Sequence, residues 1–200
     1  DIDGDTAVAG APNVDLGAGS SQGAAYVFTR NATTGVWAQN GSRLTAPAPY
    51  NVNGATFGDT VVVDGDWMAI SADGDNEGII PRVFVYRRSG TSWVLQQMLT
   101  TDTIDGFGVS LALDGTTLVV GEPYWSSSQG RAHVFVWNGS AWAPQQTLVA
   151  TGTPAPASSP TATTSSGPPT SCPSTASGAT CEPTPTSPSG RVWTRVASSS

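Results

Sequence analysis

The sequence contains no lysine: all eight basic residues are arginine, set against fifteen acidic ones, for a formal net charge of −7. A nucleic-acid binder needs a clustered basic face that displaces counterions, so this balance excludes nucleic acid as a partner and reads as a solubilising acidic surface. No run of eighteen apolar residues occurs, so this segment carries no helical membrane span. Cysteine is confined to Cys172 and Cys181, nine positions apart. With no histidine or second cysteine pair beside them, they suit a local disulfide better than a metal site; free thiols are the alternative. A disulfide points to an oxidising, extracellular setting. Histidine occurs once, at His133, and no acid/base pair stands at a useful spacing, which speaks against catalysis. The chain opens at Asp1 without a targeting segment and reads as a mature or partial piece of something longer.

Turn residues and β-formers are abundant, and they are ordered. Residues 107–150 divide into the runs 107–113, 117–121, 132–137 and 142–149. The breaks are Asp114-Gly115, a loop over 122–130, and Asn138-Gly139-Ser140. β-branched and aromatic runs broken by Gly, Pro, Asn and Asp predict strands joined by tight hairpins, here a four-stranded antiparallel meander. The same order recurs from Phe57, and again from Asp3, where the first run is missing. Asp-Gly turns fall at Asp3, Asp64 and Asp114, 61 and 50 residues apart (64 − 3; 114 − 64). Trp37, Trp93 and Trp142 each open the fourth run, and His133 lies in the third run of the last copy, where it reads as structural. A period of about 40–60 residues built from four strands is that of a propeller blade.

Phe57-Gly58 and Phe107-Gly108, together with Gly10-Ala11-Pro12 and the drifted Gly121-Glu122-Pro123, resemble the FG-GAP repeat, the blade type of integrin α-subunit heads and of many surface proteins. The resemblance covers residues 1–150 and implies an all-β array of about three blades, over 1–46, 57–100 and 107–150, engaged in extracellular recognition or adhesion rather than catalysis. The second copy departs from the pattern with Ser71-Ala72-Asp73. A closed propeller of this family would hold about seven blades, and rings in general four to eight, so the array is incomplete.

Asp1, Asp3 and Asp5 alternate as the oxygen ligands of a calcium loop do, though Asp64-Gly65-Asp66 and Asp114-Gly115-Thr116 in the other copies read as plain turns. Asp73, Asp75 and Glu77 form a rival Ca2+ site or a solvated acidic loop. Gly19-Ser20-Ser21-Gln22-Gly23 fits the G-x-S-x-G pattern but sits between strands, where a nucleophile elbow cannot form. Asn31, Asn40 and Asn138 each begin an N-glycosylation sequon. For Asn40 and Asn138 the following glycine also makes a favoured hairpin turn.

Between residues 151 and 190 proline, serine and threonine make up 28 of 40 positions (nine, nine and ten). Such a stretch cannot bury a core and reads, over 151–189, as an extended stalk similar to O-glycosylated mucin-like or hydroxyproline-rich tracts. Residues 190–200 follow with Val192, Trp193, Thr194 and Val196 in an alternating, strand-like pattern. Such a strand could complete a blade in its own chain or pair with the sheet edge of a neighbour, head to tail. The sequence therefore points to a non-catalytic extracellular structural or adhesion module that self-associates or meets other surface proteins and glycans. A carbohydrate- or ligand-binding propeller, using the loops 73–78 and 122–130 with Tyr124 and Trp125, is the alternative; a hydrolase fragment is a distant third.

Overall fold

The computed structural model describes residues 1–17, 19–74, 78–151, 183–184 and 192–193. The chain divides into two units, Asp1–Gly152 and Thr153–Ser200. The first is all-β and consists of three four-stranded antiparallel sheets, each a propeller-like blade wound in sequence order. Blade 1 comprises β1 (Ile2–Asp3), β2 (Thr6–Ala11), β3 (Ala24–Arg30) and β4 (Trp37–Gln39). Blade 2 comprises β5 (Phe57–Asp64), β6 (Trp67–Ala72), β7 (Arg82–Ser89) and β8 (Ser92–Thr100). Blade 3 comprises β9 (Ser110–Asp114), β10 (Thr117–Glu122), β11 (Arg131–Trp137) and β12 (Trp142–Leu148). The expectation that the first repeat lacks its leading strand needs correction. Ile2 pairs with Ala7 and Asp3 with Thr6, so two residues suffice to begin the blade.

Alternation along the strands builds the core between blades rather than within one. In β6 every residue is buried, because both faces are covered. Met68 and Ile70 join Phe84 and Tyr86 of β7 against Val8, Ala25 and Val27 of blade 1. On the opposite face Trp67, Ala69, Val83 and Val85 meet Leu118, Val120, Phe135 and Trp142 of blade 3. Trp67 lies 4.8 Å from Trp137 and 5.0 Å, edge-on, from Trp142 (ring centroids). The aromatic third strands of blades 2 and 3, with Trp93 and Trp142, thus serve blade-to-blade packing, whereas the repeated tryptophan of blade 1, Trp37, is exposed.

The Phe-Gly pairs have a mechanical explanation. Phe57 is fully buried in the first joint and Phe107 in the second. Each following glycine has a positive φ, 95° at Gly58 and 99° at Gly108, and turns the chain onto the preceding blade. At the first joint the backbones touch: a Cβ on Gly10 would sit 1.9 Å from the Gly58 carbonyl oxygen. At the second, a Cβ on Gly108 would sit 3.0 Å from the Cβ of Ser71, so it is the missing side chain at Gly108 that leaves space for Ser71 where the first copy has Gly10. Ser71 is also used, its hydroxyl accepting from the Thr60 amide at 2.9 Å.

The loop over 122–130 contains a single turn, α1 (Trp125–Ser128), in which Ser126, Ser127 and Ser128 all take left-handed φ values of 52°, 59° and 67°. In the second unit β13 (Pro183–Thr184) pairs antiparallel with β14 (Val192–Trp193). Val192 and Trp193 thus have their pairing partners inside their own unit. Thr194 and Val196, Asp75 and Glu77, and Cys172 and Cys181 lie outside the described residues.

Substituting Gly10 by alanine is expected to cost about 3 kcal/mol, since it forces backbone against backbone, and to lower Tm by about 6–12 °C. Gly121 occupies the same repeat position, but its added Cβ would meet the movable hydroxyl of Ser110. Gly121→Ala is expected to shift Tm by less than about 2 °C in the same thermal melts.

Candidate functional site

The Asp-Gly turns do more than reverse the chain. The Asp3 carboxylate accepts a hydrogen bond from the amide of Gly65, 2.8 Å away in the corresponding turn of blade 2. The Asp64 carboxylate in turn accepts from the amide of Gly115 in blade 3. Each turn thus holds the turn of the next blade through a charged acceptor and an amide that a two-residue hairpin leaves unpaired. Aspartate supplies that charge and glycine the conformation, a division of labour that a turn alone would not require. The recurrence of aspartate at Asp3, Asp64 and Asp114 was the available signal, and reading these turns as plain hairpins missed it.

The same geometry accounts for the acidic start of the chain. Asp1 accepts from the amide of Val63 at 2.8 Å, and Asp5 pairs with Arg30 at 2.7 Å, repeated in blade 2 as Asp66 and Arg88 at 3.4 Å. Asp1, Asp3 and Asp5 therefore serve three separate partners. Among the described residues no group of three His, Cys, Asp or Glu side chains is placed to hold a metal ion. The calcium reading of Asp1, Asp3 and Asp5 gains no support from this arrangement. In the rival loop, burial and then the charge of Asp59 push the Asp73 carboxyl up to about 6.

The strongest electrostatic feature is one the repeat pattern does not prepare for. Glu122 stands where Ala11 and Ala72 stand in the other blades, and it is completely buried. Arg131 grips it through Nε and, at 3.2 Å, through Nη2; His133 Nε2 lies at 2.6 Å, and the Thr103 hydroxyl donates to the same carboxylate. Antiparallel register makes this possible: Glu122 pairs with Arg131 and Val120 with His133, so all four residues share a face. Burial by itself would raise the carboxyl's pKa, but the hydrogen bonds from Arg131, Thr103 and His133, with the Arg131 charge, hold it down to about 2. His133 also sits edge-on to Phe107, 5.4 Å between ring centroids, which ties the cluster to the second joint. A carboxylate that is sealed from solvent and supplied with four donors is a brace, not a general base. The departure of Gly121-Glu122-Pro123 from Gly-Ala-Pro, with Arg131 and the sole histidine two positions apart, was the signal in the sequence.

The three sequons separate into two kinds. Asn31 and Asn138 are exposed and sit in the turns after β3 and β11. Their side-chain oxygens accept from the amides of Thr33 and Thr34, and of Ser140 and Ala141. Asn40 is half-buried, and its amide nitrogen donates to the Thr91 carbonyl of blade 2 at 2.8 Å. It lines a cavity of about 250 Å³ with Val27, Arg43, Leu44 and Trp93. Farther along the same rim, Gln97 both donates to the Trp142 carbonyl at 3.0 Å and accepts from its amide at 2.7 Å. Beside the Glu122 loop, Tyr124 is 57% exposed, and the Arg131 guanidinium lies 4.9 Å from the Trp125 ring centroid.

Compared with known proteins, residues 93–135 match the FG-GAP repeat. The matched segment begins in the last strand of blade 2 and ends near the end of the third strand of blade 3, so it straddles the second joint and includes Phe107-Gly108 and Glu122. No curated protein matches the chain. FG-GAP repeats are typical of extracellular and surface proteins and are typically non-catalytic. Among the described residues no helix is long and apolar enough to cross a membrane.

Glu122 also sets an acid limit. Its folded carboxyl titrates near 2 and the unpaired one near 4.5, so its contribution is complete above about pH 4.5 and is lost as pH falls toward 2. Glu122→Gln leaves Arg131 uncompensated and is expected to cost about 3 kcal/mol at neutral pH. Urea titrations from pH 2 to 7 should show the acid-side slope of the wild type flattened in this variant.

Proposed function

We propose that the protein is a non-catalytic extracellular structural and adhesion module. In this reading its copies associate head to tail into a surface fibril or matrix, carrying N-glycans on the blades and O-glycans on the Pro/Ser/Thr segment. The observation that carries this reading is the serial joint: three blades of an FG-GAP-like array joined by the same face-to-face contacts and the same Asp-to-Gly bond. Such an array extends by repetition, and it commits the one carboxylate that is buried among the described residues to holding a joint together. The 28 Pro, Ser and Thr residues between 151 and 190 fit a glycosylated stalk, and Val192–Trp193 is a short strand that a neighbouring edge could borrow.

Electron microscopy of the native material is the direct test, with the full chain compared to one lacking residues 190–200. Filaments or a connected matrix are expected from the full chain; isolated particles at every concentration would refute the assembly reading. Loss of filaments in the shortened chain would assign the contact to the tail strand.

A second reading rests on the exposed Tyr124 beside the Trp125–Arg131 stack, where three left-handed serines present the loop. Strained loops with exposed aromatics suit sugar or ligand recognition. It requires a saturable ligand on a glycan array, with binding reduced about tenfold or more by Tyr124→Ala.

Sequon occupancy is expected to follow the hydrogen bonding. Glycopeptide mapping of secreted material should find Asn31 and Asn138 modified and Asn40 bare, because Asn40 is held between blades 1 and 2. A fully occupied Asn40 would mean that this rim opens during maturation.

A further inference from the structure

The rims of the two joints are built from the same repeat positions but are filled differently. Counted from the Asp-Gly turns, the strand registers align Val27 with Val85 and Ala25 with Val83. Asn40 bonds to Val27 and Leu44 pairs with Ala25, as Gln97 and Leu99 pair with Val85 and Val83 in blade 2. Only Met98 lies between Gln97 and Leu99, and it packs against the core. Between Asn40 and Leu44 the chain instead places Gly41, Ser42 and Arg43. The side chains differ in reach as well. Gln97 makes two hydrogen bonds to the Trp142 backbone, whereas the shorter Asn40 makes one, to the Thr91 carbonyl. The longer segment and the shorter lock leave the cavity of about 250 Å³ at the first rim.

The lining of this cavity holds donors without acceptors. Trp93 Nε1 is shut off from solvent and has no hydrogen-bond partner among the described residues, a state that native proteins rarely leave unanswered. Arg30, Arg82, Arg87, Arg88 and Arg131 each meet a carboxylate, a carbonyl or an aromatic ring. Arg43, at the cavity's exposed edge, has no such partner among the described residues. The amide nitrogen of Asn40 is committed to Thr91, which leaves its Oδ1 as an acceptor. Val27 and Leu44 supply an apolar wall. The Trp93 ring is pinned by the Arg88 guanidinium, 4.5 Å from its centroid, which donates to the Thr6 hydroxyl of blade 1 at 2.8 Å. None of the described lining residues is acidic, in a chain of net charge −7.

We propose that this cavity binds one acidic sugar ring, a hexuronate, with its carboxylate on Arg43 and an oxygen of the ring on the Trp93 indole N–H. An arginine fork matches a carboxylate, an indole N–H only donates, and the Asn40 oxygen accepts from a sugar hydroxyl. The C–H face of the ring covers Val27 and Leu44. The volume falls below the roughly 300–1,000 Å³ of sites for drug-sized ligands, which limits the guest to a single ring. The site stands apart from the Tyr124 loop and does not depend on self-association.

Proton–nitrogen correlation NMR of the full chain tests the site through the Trp93 indole N–H, whose signal is identified by its loss in Trp93→Phe. Glucuronate is expected to shift that signal saturably with a Kd on the order of 1 mM, and glucose to bind about tenfold more weakly or less. Arg43→Ala, in an exposed segment outside the strands, is expected to weaken glucuronate binding about tenfold, while Tyr124→Ala leaves it unchanged. A glucuronate-terminated disaccharide that binds as well as the free sugar would identify the end of a glycan chain as the source; binding of the free sugar alone would identify a monosaccharide. No saturable shift with glucuronate would mean that the cavity holds only water, and would overturn the site. An equal response to acetate or to glucose would overturn the acidic-sugar assignment, and undiminished binding in Arg43→Ala would overturn the role of its guanidinium.

Discussion

The fold depends on one contact, the face-to-face joint between consecutive blades. A four-stranded sheet of this size cannot bury both of its faces by itself, and the strands of blade 2 are apolar on both. Each sheet therefore becomes stable only against its neighbours, and the core consists of two inter-blade clusters rather than one interior. Everything specific to the repeat serves that joint. Phe57 and Phe107 fill it, the glycines bring backbones into contact, and the Asp-to-Gly bonds set the rim register.

The two joints solve the same problem differently. The first relies on backbone proximity at Gly10 and Gly58, with small residues on the blade 1 side. The second is looser in backbone, with Ser71 in place of glycine, and is filled by Trp67, Trp137 and Trp142. It also contains the Glu122 cluster, in which a buried charge is tolerated because Arg131, His133 and Thr103 replace the water it gives up. Pairs of this kind add little net stability compared with apolar filling, but they penalise any register that separates the partners. Glu122 therefore fixes how β10 and β11 align beside Phe107.

The joint is a repeating contact. Its polar and apolar components recur with the blade period. The adhesion or matrix role proposed above would use that repetition, and Glu122 is committed to its bonds with Arg131, His133 and Thr103.

Much of this was legible in the sequence because it is periodic. Alternating runs, Asp-Gly turns and recurring tryptophans determine strands, hairpins and blade order, since a strand's facing pattern has period two and a hairpin needs particular turn residues. Composition likewise separates the Pro/Ser/Thr segment from the blades. What only the tertiary structure decided is which side chains meet across the joint. That Asp3 reaches the Gly65 amide and that Asn40 is held by Thr91 follow from the placement of one blade against the next, while Glu122 closes on Arg131 and His133 through the β10–β11 register within blade 3. A sequence repeat records what each blade contains; the contact between blades is a relation between residues about sixty positions apart, set by packing and register, and no single repeat encodes it.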